Sequence, residues 1–203
     1  MKNLFFILFF IPFISYCQNG SEFILQKSLS FERGNNCITN NDCFSLSPDI
    51  PNNISRTIFY TYVLNGNKQT IDTIYYAHIY GLTLSNFKNE NENSNVVFLK
   101  IEDEYVPTFF IYYIKYGKLM KIGEWIIAIP YIKYGCEYCD YSIEDIRIHQ
   151  RNDEIVFSFL KDMRFVVMGE HYNDYDDWGT FEEGKLKVSF NIADGSLKVI
   201  DDL

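Results

Sequence analysis

Short runs rich in Ile, Val, Phe, Tyr and Thr alternate with small polar clusters along the chain, and this pattern most restricts its possible folds. The clearest run is Lys185 to Ile192, in which Leu, Val, Phe and Ile alternate with Lys, Ser and Asn. The two-residue period is that of a β-strand with one buried face, whereas an amphipathic helix repeats every 3.6 residues. Helical periodicity is scarce elsewhere, so the pattern predicts a sheet protein.

Other segments share this strand character. The predicted strands are Phe23 to Phe31, Thr57 to Leu64, Thr70 to Tyr80, Val96 to Ile101, Thr108 to Tyr116, Leu119 to Ile129, Asp145 to His149, Glu154 to Leu160, Arg164 to Met168, Lys185 to Ile192 and Ser196 to Ile200. The links between them contain Gly, Asn or Asp, as at Tyr116-Gly117, and these residues suit tight hairpin turns. We therefore expect an all-β fold, an antiparallel meander of about ten or eleven strands that closes as a barrel or folds over as a sandwich, with little helix.

Two stretches depart from the strand pattern. Residues 32–56 are rich in Asn, Ser and Pro and are predicted to be loop-rich. Residues 85–95, SNFKNENENSN, are so polar that we expect a solvated loop between strands.

The N-terminal segment 1–17 has the features of a secretory signal peptide. Lys2 supplies the positive start, an apolar run follows, and the small residues Ser15 and Cys17 occupy the positions that signal peptidase requires. Cleavage would leave Gln18 as the new N-terminus, so residues 18–203 would form a single exported domain, periplasmic or extracellular. Two alternatives remain open: Cys17 could carry a lipid anchor, or the segment could be a buried N-terminal element.

The charge balance limits the partners. The formal net charge is −9 at pH 7, and removal of Lys2 with the signal segment would take it to −10. Nucleic acid and anionic lipid surfaces are bound mainly through Lys and Arg, so we expect this acidic chain to be a poor partner for both, and we expect no nucleic-acid partner. No further window has the length of a transmembrane span.

Four cysteines follow the signal segment: Cys37, Cys43, Cys136 and Cys139. An even number in an exported chain favours disulfides, and the local pairing of Cys37 with Cys43 and of Cys136 with Cys139 is the preferred one of three. A redox-active C-x2-C motif would need a helix after its first cysteine, and none is predicted here. Four-cysteine zinc binding also stays open as an alternative.

An acidic segment near the C-terminus could bind a metal. Calcium requires six to eight oxygen ligands, and Asp174, Asp176, Asp177 and Glu182 lie close together in sequence. The spacing does not match an EF-hand, so the predicted site is a non-standard calcium loop, with a solvated acidic loop as the alternative. No other cofactor is expected.

Tyrosines occur on both faces of several predicted strands. They are Tyr60, Tyr62, Tyr75, Tyr76, Tyr80, Tyr112 and Tyr113. Aromatic residues first serve β-cores, but Tyr also suits half-wet binding surfaces. We expect a Tyr-rich surface or pocket that binds a protein, a glycan or a small apolar ligand.

Sequence signatures of catalysis are absent, including G-x-S-x-G, H-E-x-x-H and the P-loop. We assign no catalytic residue, and the sequence favours a non-enzymatic binding module. Two alternatives stay open, a hydrolase of cell-envelope polymer that uses acids of the segment from Glu170 to Glu183, and a calcium-stabilised structural envelope protein.

Overall fold

A computed structural model describes residues 20–30, 35–37, 42–46, 57–64, 67–75, 81–102, 107–130, 139–168 and 179–201. Within these ranges the chain is all-β, with a single 3-10 turn at Ile143–Asp145 as its only helical element. The strands are β1 (Ser21–Ser30), β2 (Asn35–Cys37), β3 (Asp42–Leu46), β4 (Thr57–Leu64), β5 (Asn67–Tyr75), β6 (Gly81–Asn89), β7 (Ser94–Glu102), β8 (Pro107–Lys115), β9 (Lys118–Ile129), β10 (Cys139–Asp140), β11 (Ile146–Arg151), β12 (Glu154–Phe159), β13 (Met163–Val167), β14 (Gly179–Phe181), β15 (Leu186–Asn191) and β16 (Leu197–Asp201).

Most strands join one antiparallel sheet, in the order β14-β13-β9-β8-β7-β6-β1-β11-β12-β15-β16. The short strand β10 pairs with the end of β9, on the side opposite β13. Consecutive strands are mostly neighbours, because tight turns connect them, and Tyr116-Gly117 adopts the positive φ angles (50° and 71°) that its sequence predicts. A separate small sheet has the order β2-β3-β4-β5.

Strand β1 joins two halves of the main sheet. Its first residues pair with β11, and from Ile24 onwards it pairs with β6, with a bulge between Leu25 and Lys27. A bulge bends a strand and increases its twist. The sheet therefore curls into a half-barrel, with a front half (β6 to β9, β13 and β14) facing a back half (β11, β12, β15 and β16).

The core lies between the two halves. Its centre is Trp125 of β9, which is fully buried. The Trp125 ring packs edge-on against three phenyl rings. The centroid distances are 4.9 Å to Phe157 of the back half, 5.5 Å to Phe165 and 6.4 Å to Phe98. Large aromatic side chains from the two halves thus fill the space between them.

The front half is also buried on its outer face. Strand β8 is buried from Pro107 to Ile114, including both Tyr112 and Tyr113, which point to opposite faces. On the outer side, Phe44 of the small sheet is fully buried, with its ring centroid 6.3 Å from that of Tyr112. The small sheet therefore packs on the outside of the front half as a further layer.

The predicted all-β, barrel-like fold is confirmed. The order is not a simple meander, however, because β1 lies between β6 and β11, and β9 pairs with β13. The loop-rich segment 32–56 contains the short strands β2 and β3, and its remaining residues lie outside the described ranges.

The prediction of a solvated loop at 85–95 is wrong for all but four residues. Strand β6 extends to Asn89 and β7 begins at Ser94, so only Glu90–Asn93 form a turn. The Asn89 side chain donates to the Ser21 hydroxyl (2.7 Å) and accepts from the backbone N–H of Glu92 (3.2 Å). Because these bonds satisfy the hydrogen-bonding groups of the Asn89 side chain, this polar residue can be buried at the end of a hairpin.

Candidate functional site

A half-open cavity of about 310 Å³ lies on the inner face of the front half, beside the 3-10 turn. Strand register explains its composition, since Ser28 pairs with Ser85, which pairs with Phe98, while Thr83 pairs with Lys100, which pairs with Phe109. Hydroxyl groups thus line one side and aromatic rings the other. Its lining residues are Ser28, Thr83, Ser85, Phe98, Lys100, Phe109, Tyr141, Ser142 and Ile143.

Tyr141 closes one wall of the cavity with its ring. Its hydroxyl is already used, because it donates to the Asp145 carbonyl oxygen (3.3 Å) and accepts from the backbone N–H of Lys161 (3.0 Å). Burial is the main cause that raises the pKa of Tyr141 to about 12. This phenol therefore stays protonated at neutral pH and serves as a wall, not as a base.

An ion pair stands at the polar side of the cavity. The Lys100 Nζ lies 2.9 Å from the Glu102 Oε1, and the two side chains are 17% and 41% exposed. Next to it, the hydroxyls of Ser28 and Ser85 are 2.5 Å apart. The cavity thus presents ammonium and hydroxyl donors together with hydroxyl acceptors, over a floor formed by Phe98 and Phe109.

The lining combines hydroxyl groups and one ammonium with aromatic and aliphatic side chains. Its described residues include no His, Cys, Asp or Glu, the side chains that most often act as general bases. A cavity with apolar walls and a few convergent polar groups is typical of a small-molecule site, for which volumes of about 300–1,000 Å³ are usual.

The cysteine predictions have different outcomes. Cys37 of β2 and Cys43 of β3 are directly opposite each other, with Cα atoms 3.9 Å apart and sulfur atoms at bonding distance. This pair matches the expected local disulfide. Cys136 lies outside the described ranges, and of Cys139 the structure describes the backbone in β10.

Of the four predicted calcium ligands, the structure describes only Glu182. Asp174, Asp176 and Asp177 lie outside the described residues, and Glu182 is exposed just after β14. Within the described part of the chain, no three His, Cys, Asp or Glu side chains come together as metal ligands. Cys17 and Gln18, the predicted cleavage site, also lie outside it.

The predicted Tyr-rich surface receives no support from Tyr112 and Tyr113, which are 0% and 1% exposed. Both rings belong to packed layers on either face of β8. Tyr60 and Tyr62 lie in β4 and Tyr75 lies in β5, two strands of which the structure describes the backbone alone. Tyr76 and Tyr80 lie outside the described ranges.

The cavity residues were not singled out in the sequence. Ser28 lies in a predicted strand, but Thr83 lies in none, and Ser85 begins the segment that was predicted to be a solvated loop. Lys100 looks like a surface lysine. Only the register brings these residues together.

Comparison of the chain with protein-family models, with curated proteins and with solved structures finds no significant match. Among the residues that the structure describes, there is no helix long and apolar enough to cross a bilayer.

Proposed function

We propose that the protein is an exported, non-enzymatic binding module that holds a small sugar unit in the cavity of its half-barrel. The observation that carries this proposal is the lining of the cavity, with hydroxyl groups and the Lys100 ammonium on one side and aromatic rings on the other. Sugars carry hydroxyl groups around a ring whose C–H faces are apolar, so they match a site with these two sides. The mouths of β-barrels are a common place for such sites.

The charge state of the site favours sugars that accept hydrogen bonds. The Lys100 ammonium, which donates to the Glu102 Oε1 (2.9 Å), places a positive charge at the polar side of the cavity. An acidic sugar would use this ammonium as a charge-assisted donor, and such bonds are about twice as strong as neutral ones. Uronic acids are therefore expected to bind more tightly than the corresponding neutral hexoses.

Titration calorimetry and saturation-transfer NMR with neutral hexoses, N-acetylhexosamines and uronic acids test the proposal. Ser85→Leu places a larger side chain in the cavity and should abolish binding, while Lys100→Met should weaken uronic acids about tenfold and neutral sugars less. Ser158→Leu is the matched control, since Ser158 lies on strand β12 on the face that points away from the core.

A sugar that binds wild type and Ser158→Leu but not Ser85→Leu would support the site. Binding that survives Ser85→Leu unchanged, in a variant whose circular dichroism matches wild type, would place the ligand elsewhere. If no member of the panel binds, the proposed ligand class is wrong.

A further inference from the structure

The cavity lies near the point where strand β1 separates from strand β11. Ser21 to Phe23 of β1 pair with β11, and from Ile24 onwards β1 pairs with β6. Continued pairing with β11 would bring Ile24 opposite Arg147, but the pairing ends at Phe23. A split therefore opens in the main sheet between the second half of β1 and the start of β11.

The two sides of this split contribute two sides of the cavity. Ser28 belongs to the part of β1 that has left β11, whereas Ser142 and Ile143 belong to the 3-10 turn region that leads into β11. All three residues line the cavity, and the other strands that line it, β6, β7 and β8, follow β1 in the sheet. The space for a ligand therefore depends on the distance between β1 and the start of β11.

A bulge in β1 lies next to the split. Leu25 and Lys27 pair with adjacent residues of β6, so Gln26 between them has no partner on that strand. An additional residue of this kind bends a strand, and bulges are frequent beside functional sites. The Gln26 side chain is exposed and donates one long hydrogen bond, to the Ile24 carbonyl oxygen (3.4 Å). Its effect on the fold therefore comes mainly from its place in the backbone.

The bulge does not decide which side chains point inwards. Leu25 packs against the core and Ser28 lines the cavity, so both point to the inner face although they are three positions apart. Side chains of a regular strand alternate, so residues two positions apart share a face. Deletion of Gln26 would leave Leu25 and Ser28 two positions apart, with the same partners on β6. The bend can therefore be removed without turning Ser28 away from the cavity.

The split also leaves one edge of β1 without a strand. Among the described strands, only β6 pairs with β1 from Ile24 to Ser30, and the side chains of Lys27, Ser28 and Ser30 are exposed. A free strand edge presents backbone N–H and C=O groups. A sugar hydroxyl can both donate and accept a hydrogen bond, so it can bind either of these groups.

We propose that the bulge at Gln26 opens the sugar site, and that a bound sugar replaces β11 as the hydrogen-bond partner of the β1 backbone between Lys27 and Ser30. This inference rests on the proposed function and adds the main chain of β1 to the binding groups. Strand β1 then binds the sugar through its edge, and the Ser28 hydroxyl provides a side-chain contact beside it. Gln26 is a positioning residue, because it acts through the course of the strand.

Deletion of Gln26 tests the role of the bulge. Without the bend, β1 should stay beside β11, so hydrogen exchange should slow about tenfold at whichever amide of Ile146 and Arg147 faces β1. The probe for binding is glucose or N-acetylglucosamine, whichever binds wild type more tightly, and the deletion should weaken its affinity at least about tenfold. Gln26→Ala is the matched control, because it keeps the additional residue, and it should match wild type within about twofold in both measurements.

Wild-type protein tests the main-chain contacts without any change of sequence. Amide exchange is measured by NMR with and without the same sugar at about ten times its Kd. At least one amide between Lys27 and Ser30 should exchange about tenfold more slowly with sugar present, because only the unbound fraction exposes it. The amides of Lys187 and Ser189, on the far side of the back half, should not change.

The outcomes separate this inference from the proposed function. Unchanged exchange in β11 after deletion of Gln26 would show that the bulge does not separate the strands, whether or not a sugar binds. An equal loss of affinity in Gln26→Ala would assign the effect to the side chain and overturn the proposal. If the deletion variant does not fold, the exchange of the wild-type β1 amides decides.

If no sugar of the panel binds, the proposed function and the main-chain contacts are both wrong, and exchange in β11 still decides the role of the bulge. A capped hexapeptide of alternating Val and Thr tests the other occupant of a strand edge. If this peptide slows exchange between Lys27 and Ser30 and no sugar does, the edge binds a strand and the sugar assignment is wrong.

Discussion

Tyr141 joins three parts of the molecule through one side chain. Its ring forms a wall of the cavity and packs near Phe159 of the core, and its hydroxyl connects the 3-10 turn to the turn before β13. The buried hydroxyl can donate its hydrogen bond only while the phenol is neutral, so ionisation of Tyr141 at high pH would destabilise the structure around it.

The pKa of Tyr141, raised from 10.0 to about 12, predicts a loss of stability in alkaline solution. Below pH 10 the phenol is neutral in both the folded and unfolded states, so its full contribution is present. Between pH 10 and 12 the unfolded chain releases this proton while the folded chain keeps it. The free energy of unfolding therefore falls by at most about 1.4 kcal/mol per pH unit, or about 3 kcal/mol over the two units.

Urea unfolding of wild type and Tyr141→Phe at pH 8, 10 and 11 measures this loss. At pH 8 the variant should be less stable by about 1 kcal/mol, since its ring offers no hydroxyl to Asp145 and Lys161. That difference should shrink as the pH rises above 10. A difference that stays constant from pH 8 to pH 11 would contradict the assigned cause.

Strand β9 shows which features of an element its sequence predicts and which it does not. Its apolar run predicts the strand, with bounds within one residue of Lys118–Ile129. The sequence does not predict the bulge in β9 opposite Ile111 and Tyr112, which shifts the register before Gly123. Local composition determines whether a strand forms, whereas pairing with a distant strand determines its register.

The same distinction explains the error at 85–95. Its polar composition predicts solvation, but β6 lies between β1 and β7, so its backbone groups are paired on both sides. Once the backbone is paired, the buried side chain of Asn89 still needs hydrogen-bond partners that are close in space, such as Ser21. Those partners come from a strand more than sixty residues away in sequence, and no local pattern contains that information.

Gly123 provides a test of packing within β9. A Cβ at this position would lie 2.7 Å from the Nε1 of Trp125, whose ring is enclosed by the core and cannot shift. Gly123→Ala is therefore expected to lower the free energy of unfolding by about 1–3 kcal/mol, the usual cost of overpacking. Chemical denaturation followed by tryptophan fluorescence measures the change.

Gly81→Ala is the matched control, because a Cβ there would lie 2.6 Å from the Glu102 Oε2. The distance is as short, but Glu102 is partly exposed and its carboxylate can rotate away. We expect a change within about 0.5 kcal/mol, or a slight stabilisation through lower entropy of the unfolded chain. Equal losses in both variants would show that backbone strain and not the indole is responsible.

The sequence does not predict how the sheets of this molecule assemble. The strand pattern predicts an all-β fold, but not that β1 divides its pairing between two halves, nor that a small sheet covers the outside of the front half. The cavity follows from that assembly, since Ser28 and Lys100 become neighbours only through the register of β1, β6 and β7. The cavity is therefore a property of the tertiary fold.

Substitutions at Tyr112 and Tyr113 test whether both faces of the front half are packed. They are adjacent in β8 and equally buried, but Tyr113 faces the core and Tyr112 faces the small sheet through Phe44. If the layers are arranged as described, Tyr112→Ala and Tyr113→Ala should each cost about 3–5 kcal/mol in the free energy of unfolding.

The control is Tyr116→Ala, because this ring is 80% exposed at the turn after β8, and its loss should cost no more than about 0.5 kcal/mol. Urea unfolding of the three variants gives the comparison under one set of conditions. A cost for Tyr112→Ala close to that of Tyr116→Ala would mean that the small sheet does not pack firmly on the front half. A large cost with an unchanged dependence on urea would show that both faces of β8 unfold in one cooperative step, so that the small sheet and the half-barrel form a single folding unit.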